Sequence, residues 1–495
     1  MFALQFLALR AAKRAFFIKE YGMKKVLPVV VLCAMCVLSV LAFASCGGKA
    51  NNVPTITWWM VGSTQPGFKE DLKVLSDYAE EKIGVKLDIK QAPWADAEQR
   101  FTTMINSGEY FDIMFVWGNN YSRYATLGAF ADLTELLPAE TPQLYEYIPD
   151  LLWEGVKIKG RLYSIPTYKD SSITGYYFWD HSFVKKYNID LNRHGWAYLD
   201  GVFRKIKAGE NNPRFYPFVL SRSSNIFLTD NYDDLTANIE PMGVRHDDGD
   251  RRVVNLLEQP EILEAYRYLH KWYKDGIINP DANMIDEVPN ARCFFMAQAW
   301  PSVAISYAIS AGIEQYDPVR CFGPSYSTSS IQGSMNAISA NSKYKKEALR
   351  LLQLVNTDTK FRDMLNLGIE GKHFEYVNNG TAAHRLRTDW PLINYQEGSY
   401  FIETPLDAVP PGYWDEVRQQ NMEAAPSVML GFMMDLEPVL GEIINCRSAW
   451  EKYKTDLLTG AADPDVVIPI ALAELKRCGL GKVMAEAQRQ IDEYF

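Results

Sequence analysis

Apolar residues recur at spacings of three and four over "FKEDLKVLSDYAEEKIG", at Phe68, Leu72, Leu75, Ala79 and Ile83. That pattern predicts an amphipathic helix stopped by Gly84. "TITWWMV" (Thr55–Val61) before it reads as a strand, and "VKLDIK" after it alternates as a second strand. "DAEQRFTTMINSGE" reads as a helix that ends near Gly108. "FDIMFVW" is almost wholly apolar, as a strand buried on both faces should be. Strand, helix, strand, helix, strand predicts parallel crossovers and an α/β sheet.

The alternation is interrupted at "GRLYSIPTYKDSSITGYYFWD" (Gly160–Asp180), where two short strand-like runs flank Pro166 and a polar stretch. A new α/β pattern follows: "AYLDGVFRKIKAGE" as a helix, "FYPFVLS" as a strand and "PEILEAYRYLHKWYKDG" as a helix. "VRHDDGDRRVVN" reads as a hairpin around Asp248-Gly249. "RCFFMAQAWP" (Arg292–Pro301) reads as a strand leading into a helix, and the last hundred residues are helix-rich. The chain shows no internal repeat and no low-complexity tract. Its length of 495 residues predicts two or more packed units.

The N-terminal end has a different character. In "MKKVLPVVVLCAMCVLSVLAFASCGGKANN" (Met23–Asn52), two lysines precede 18 mostly apolar residues, Val26 to Phe43, and then comes "ASCGG". The charged start and apolar run fit a secretory signal. The junction Ala44, Ser45, Cys46, Gly47 resembles a bacterial lipobox, with Phe43 where such motifs usually carry Leu. On that resemblance, cleavage falls before Cys46, which receives the lipid. The competing reading is an ordinary apolar anchor that contains a cysteine. The basic and apolar stretch before Met23 is more than a signal needs, so Met23 reads as the start. Residues 1–45 are then a signal peptide and 46–54 a flexible, lipid-anchored tether.

Removing the segment before Cys46 takes away six basic residues and one acidic residue, so the net charge moves from −10 to −15. An acidic chain lacks the basic footprint of a nucleic-acid binder and is unsuited to anionic lipid surfaces. Cys293, Cys321, Cys446 and Cys478 form no CxxC pair, which removes the zinc and thioredoxin-type readings. Free buried thiols are the simplest reading. The 12 Trp, 28 Tyr and 24 Phe exceed what a core needs, and point to a surface that grips flat, partly apolar ligands.

Several segments, taken in order, resemble the family 1 extracellular solute-binding proteins of bacterial ABC importers, in particular the large oligosaccharide-type lipoproteins. They are "FDIMFVWGNNYSRYATLGAFADLTELL", "IKGRLYSIPTYKDSSITGYYFWDHSFVKKYNI", "ARCFFMAQAWPSVAI", "GSMNAISANSKYKKEALRLLQLV", "GIEGKHFEYV" and the C-terminal "YKTDLLTGAADPDVVIPIALAELKRCGLGKVMAEAQRQIDEY". The resemblance implies a two-lobed α/β fold of the periplasmic-binding-protein type II class. Hinge strands cross between the lobes, and the C-terminal region is helix-rich. The expected lobes are 55–168 plus 291–326 and 172–288 plus 330–495. It also implies a monomeric, extracytoplasmic receptor held at the cell membrane by its lipid. Such a receptor captures a carbohydrate in the inter-lobe cleft and hands it to ABC permease subunits, with no cofactor and no metal.

Ligands of open α/β sheets sit outside the carboxyl ends of strands. That rule selects the loops after "FVW", "YSIP" and "FFMAQ". Trp117, Asn119 and Asn120 follow the first of these: a stacking ring beside amides, or a cap on the strand edge. Trp300 follows the third, where the resemblance implies a ring stacked on a sugar. Tyr168 and Asp170 lie beyond the hinge proline, and Asp170 is either a hydroxyl acceptor or a solvated loop acid. Trp59 and Trp58 alternate on the first strand, so one belongs to the core and the other could edge the cleft. Trp179, Tyr326 and Trp414 complete the candidate ligand set, each with core or surface placement as the alternative.

No motif singles out a catalytic pair. GxSxG and HExxH are absent, and the six histidines are scattered. The expected chain is not an enzyme. A lipid-anchored carbohydrate-active enzyme and a ligand sensor for a chemoreceptor are the alternatives. "DDGD" at 247–250 lacks the spacing of a twelve-residue calcium loop and reads as a turn.

Overall fold

The computed structural model describes residues 53–236 and 241–495. The signal segment, Cys46 and the tether up to residue 52 lie outside the described residues. Strand β1 is Thr55–Val61, followed by helix α1 (Phe68–Ile83), β2 (Lys86–Ala92), α2 (Trp94–Ser107), β3 (Ile113–Val116) and α3 (Gly118–Thr126). Helix α1 buries Phe68, Leu72, Leu75 and Ala79, the row its spacing predicts. Gly84 ends it with φ 71°, a left-handed turn that glycine adopts without a Cβ penalty.

The chain continues through β4 (Ser164–Pro166), β5 (Ile173–Asp180), α4 (Trp196–Glu210), α5 (Pro260–Lys274), β6 (Phe294–Gln298), α6 (Val303–Ala311) and β7 (Tyr316–Tyr326). Then come β8 (Met335–Ile338), α7 (Lys345–Thr357), α8 (Thr359–Leu367), α9 (Tyr413–Glu423) and β9 (Ala425–Pro426). Helices α10 (Leu440–Trp450), α11 (Pro464–Cys478) and α12 (Leu480–Tyr494) close the helix-rich end. The predicted strand "FYPFVLS" does not form a ladder. Pro217 has no N–H to give, and only Phe218 bridges Ile278 and Phe294. Asn279 replaces a neighbouring strand, bonding both N and O of Leu220 at 2.8 and 3.0 Å.

Two principal sheets result. The first has the order β2-β1-β3-β8-β4, with β1 parallel to β2 and β3. Strand β8 is inserted antiparallel to β3 and β4. The second has the order β6-β5-β7-β9, with β5 antiparallel to both neighbours. Each sheet serves its own core. Trp58, Phe115, Met335, Leu349 and Phe361 belong to the first. Phe203, Trp272, Phe294, Cys446 and Leu475 belong to the second. A smaller cluster of Phe178, Phe295, Ala304 and Tyr316 fills the other face of the second sheet beneath α6.

These cores correct the expected lobe boundaries. Segment 291–326 was expected in the first lobe, yet β6 and β7 pair with β5 in the second sheet. Segment 330–495 was expected whole in the second lobe, yet β8, α7 and α8 pack into the first core. The physical reason lies in burial. Both "FFM" and "MNAI" are covered on both faces, so each reads as a central strand and carries no mark of its sheet. Pro166 ends β4 in the first sheet, and the chain enters the second sheet at β5.

Residues 242–245 and 254–255 pair antiparallel as the predicted hairpin. Asp248 accepts the N–H groups of Asp250 and Arg252, so it caps its own turn. Among the described residues the four cysteines, Cys293, Cys321, Cys446 and Cys478, are free thiols. Among the described residues no helix is long and apolar enough to cross a membrane.

Candidate ligand-binding site

The carboxyl ends of β1, β2 and β3 carry an aromatic cluster. Trp117 leaves β3 in an extended conformation and starts α3. Its ring lies 5.5 Å from Phe115, 6.1 Å from Phe101 and 5.2 Å from Trp94. Trp94, the first residue of α2, is 49% exposed, so the cluster has one open ring. Asn120 is half-buried on α3. Asn119 lies in the same helix, and its side chain falls outside the described residues. Trp58 donates its indole N–H to Asn336 Oδ1 at 2.9 Å. Trp59 is buried beside Phe101 with the Arg100 guanidinium 4.8 Å from its ring. The alternation of β1 therefore sends both indoles into core, and Trp59 does not edge an open cleft.

A second ring cluster forms beyond the carboxyl end of β6. Trp300 lies 5.4 Å from Tyr413 and 5.8 Å from Trp414, and Trp414 lies 4.7 Å from Tyr400. Among the described residues, the buried indole nitrogens of Trp300 and Trp414 have no hydrogen-bond partner. Helix α9 is fixed here by side chains that bond the crossing segments. Asn421 accepts from the Ser172 N–H and donates to the Lys169 carbonyl. Gln420 donates to the Ala299 carbonyl at 3.0 Å and accepts from the Tyr176 hydroxyl. Glu416 receives the N–H and hydroxyl of Ser302.

Tyr168 follows β4 and packs against the first core, its ring 4.5 Å from Phe401 and 5.8 Å from Tyr147. Asp170 is half-buried and ion-paired with Lys169 at 2.7 Å, and its carbonyl accepts from Gln298. Two other candidates are core residues. Trp179 lies 4.4 Å from Phe294 and 5.7 Å from Phe203, because β5 is a central strand covered on both faces. Tyr326 ends β7 with 4% exposure and packs into the first core. The structure thus brings Trp300 together with Trp414, surrounds Trp117 and Tyr168 with further rings, and removes Trp59, Trp179 and Tyr326 from any open surface.

One segment joins the clusters. In "NYQEGSYFIE" (394–403), Tyr395 lies 6.2 Å from Phe115, while Tyr400 and Phe401 reach Trp414 and Tyr168. Gln396 pins the segment to the end of β1 by bonds to the Val61 N–H and carbonyl, 2.8 and 2.9 Å. Behind it sits Arg362, fully buried. Its Nε donates to Ser399 O at 3.0 Å, one Nη to Asn394 O at 2.8 Å, and the guanidinium pairs with Glu397 and Glu403. Sequence reasoning missed Trp94, Tyr395, Tyr400 and Phe401. The last three lie in an aromatic and acidic run between Pro391 and Pro405 that has no secondary-structure period, while Trp94 follows Pro93 at the start of α2.

Burial pushes the carboxyls of both Glu397 and Glu403 above the ordinary range; Arg362 opposes this, and for Glu403 the neighbouring Glu397 adds to it. A carboxyl whose folded pKa is raised binds its proton more tightly when folded. Its contribution to stability is complete below the unfolded pKa and is lost as pH rises through the folded value. Wild-type melting temperature should therefore fall from about pH 5 to about pH 8, and Glu403→Gln should flatten that slope. A thermal-shift series across that range checks it; an equal slope in both proteins would refute it.

Comparison with known proteins matches this architecture. Residues 73–369 match the family described as bacterial extracellular solute-binding protein, and residues 428–495 match a domain of unknown function, DUF3502. A carbohydrate ABC transporter substrate-binding protein of Streptococcus pneumoniae serotype 4 (strain ATCC BAA-334 / TIGR4) is 27% identical over 474 residues, 91% of this chain and 95% of that protein. The N-glycan transport solute binding protein NgtS from Streptococcus pneumoniae superposes with a TM-score of 0.81 at 26% identity, covering 89% of this chain and 99% of that one. Its complex with Man5GlcNAc gives 0.71 at 26% identity, over 89% and 98%. The alginate-binding protein AlgQ2 shares the fold, at 0.61 and 17% identity, over 90% and 99%.

Proposed function

The chain belongs to the bacterial extracellular solute-binding proteins, and from that premise we propose that it captures an oligosaccharide between its two lobes and delivers it to an ABC permease. The observation that carries the reading is the pair of ring clusters, Trp94–Trp117 and Trp300–Trp414, linked by the 394–403 segment. Indole and phenol rings cover the C–H faces of a sugar, while amides, carboxylates and indole N–H groups satisfy its hydroxyls. The unbonded indole nitrogens of Trp300 and Trp414 suit that task.

Lobe closure supplies selectivity, because it strips water from every hydroxyl and penalises those left unpaired. The first ligands to test are Man5GlcNAc and Man1GlcNAc, the sugars in the NgtS complexes. Calorimetry should show binding, and mass spectrometry should return the glycan intact, since the role breaks no bond. No heat with any N-glycan fragment, or shortened glycan, would overturn the proposal.

The proposal extends to anchoring at Cys46, which the sequence alone supports. One acyl chain holds a protein only marginally and stable anchoring takes two. Cys46→Ser should release the protein from the membrane fraction or leave it unprocessed. Membrane retention of a processed Cys46→Ser protein would refute the anchor.

A further inference from the structure

Away from the ring clusters, a cavity of about 400 Å³ opens along the outer edge of β6, between residues 218–225 and residues 286–292. It holds the space of roughly a dozen waters. Arg292 is its distinctive feature. The residue is half-buried and its guanidinium lies 4.0 Å from the centre of the Phe295 ring. Its Nε is buried without an acceptor, and no carboxylate pairs with it among the described residues. Burial lowers its pKa, the mark of a cation without a compensating anion. A charge withdrawn from water and left unpaired is costly, so native structures tend to supply a partner. A guanidinium presents a planar fork that fits a carboxylate with two parallel bonds.

The rim of the cavity has the opposite character. Asp286 is already neutralised by Arg222, at 2.6 and 2.7 Å. Glu287 is exposed and has no ion-pair partner among the described residues, and Ser221, Ser223 and Asn225 add hydroxyl and amide groups. The Ser223 hydroxyl is held by the Asp286 carbonyl at 2.9 Å and lies 3.1 Å from that of Ser221. A carboxylate at the rim repels a second anionic group and accepts from hydroxyls. The matching ligand therefore has one carboxylate, for Arg292, and several neutral hydroxyls, for the rim.

We propose that this cavity is a second binding site, specific for a sugar acid of the hexuronate class, with its carboxylate on Arg292 and its hydroxyls on Glu287, Ser221 and Asn225. The site is separate from the ring clusters and stands if their assignment fails.

The test is calorimetry and thermal shift with glucuronate, glucose and inorganic sulfate as probes. Glucuronate should bind wild-type protein and raise its melting temperature by mass action, while glucose and sulfate bind at least tenfold more weakly. Arg292→Gln should lose at least tenfold in glucuronate affinity with no fall in the melting temperature of the free protein. The exposed variant Asn225→Asp should also weaken glucuronate, through repulsion at the rim, without touching the buried arginine. Neither Trp117→Ala nor Trp300→Ala should change glucuronate binding. Equal binding of glucose, sulfate as tight as glucuronate, absence of glucuronate binding, or unchanged affinity in both variants would overturn the site.

Discussion

Arg362→Met is expected to destabilise the first lobe by about 3–5 kcal/mol, the cost of breaking a buried ion pair by removing one partner. The effect is large because one guanidinium serves four acceptors. It faces Glu397 and Glu403 and bonds the carbonyls of Asn394 and Ser399. Truncation leaves two buried carboxyl groups with no cation and two carbonyls with no donor. For a unit of this size the loss corresponds to roughly 6–20 °C in melting temperature. The triple variant Arg362→Met, Glu397→Gln, Glu403→Gln should recover much of it, since replacing a whole buried ion cluster is often neutral. Urea denaturation followed by tryptophan fluorescence separates the outcomes. A single-variant loss below about 1 kcal/mol would show that the cluster does not hold the 394–403 segment. The single variant should also weaken glycan binding, because Tyr395, Tyr400 and Phe401 ride on that segment.

The network also marks the limit of what the sequence discloses. Helix α1 was legible because its whole signal, five apolar residues and a terminal glycine, lies within one stretch. Strands β1 to β3 were legible for the same reason, and β3 announced its burial by being wholly apolar. The destination of β8 was not, since "MNAI" is short and buried on both faces whichever sheet it joins. Trp117 and Trp300 could be chosen as candidates because each follows the end of a strand, where ligand loops lie. Trp179 misled for that reason. It stands near the end of β5, but Phe203 and Phe294, distant in sequence, close over it. The ring-bearing loop at 394–403 has no period at all, and what places it is Arg362 on α8 and Gln396 against β1. Contacts of that separation are set by tertiary packing, which local pattern does not encode.

Trp117→Ala and Trp300→Ala should each weaken oligosaccharide binding by about 10–100-fold, the loss expected when a ring that anchors a ligand is truncated. The two rings belong to different sheets and share no ring contact, so each tests one wall of the cleft. If the sugar is gripped from both sides, either variant alone should raise the dissociation rate more than it slows association. The double variant should then lose close to the sum of the two free energies, as independent sites do. Stability needs a control, because Trp117 packs on Phe101 and Phe115 and its truncation leaves a cavity. Trp94→Ala provides it: the ring is half exposed and edges the same cluster at 5.2 Å. Trp94→Ala should therefore weaken binding with little change in melting temperature, which a purely structural role for the cluster would not produce. Surface plasmon resonance with immobilised protein and Man5GlcNAc reads both rates. Unchanged affinity in Trp117→Ala and Trp300→Ala alike would place the ligand elsewhere. Loss in Trp300→Ala alone would confine recognition to the second lobe and leave the first to close over it.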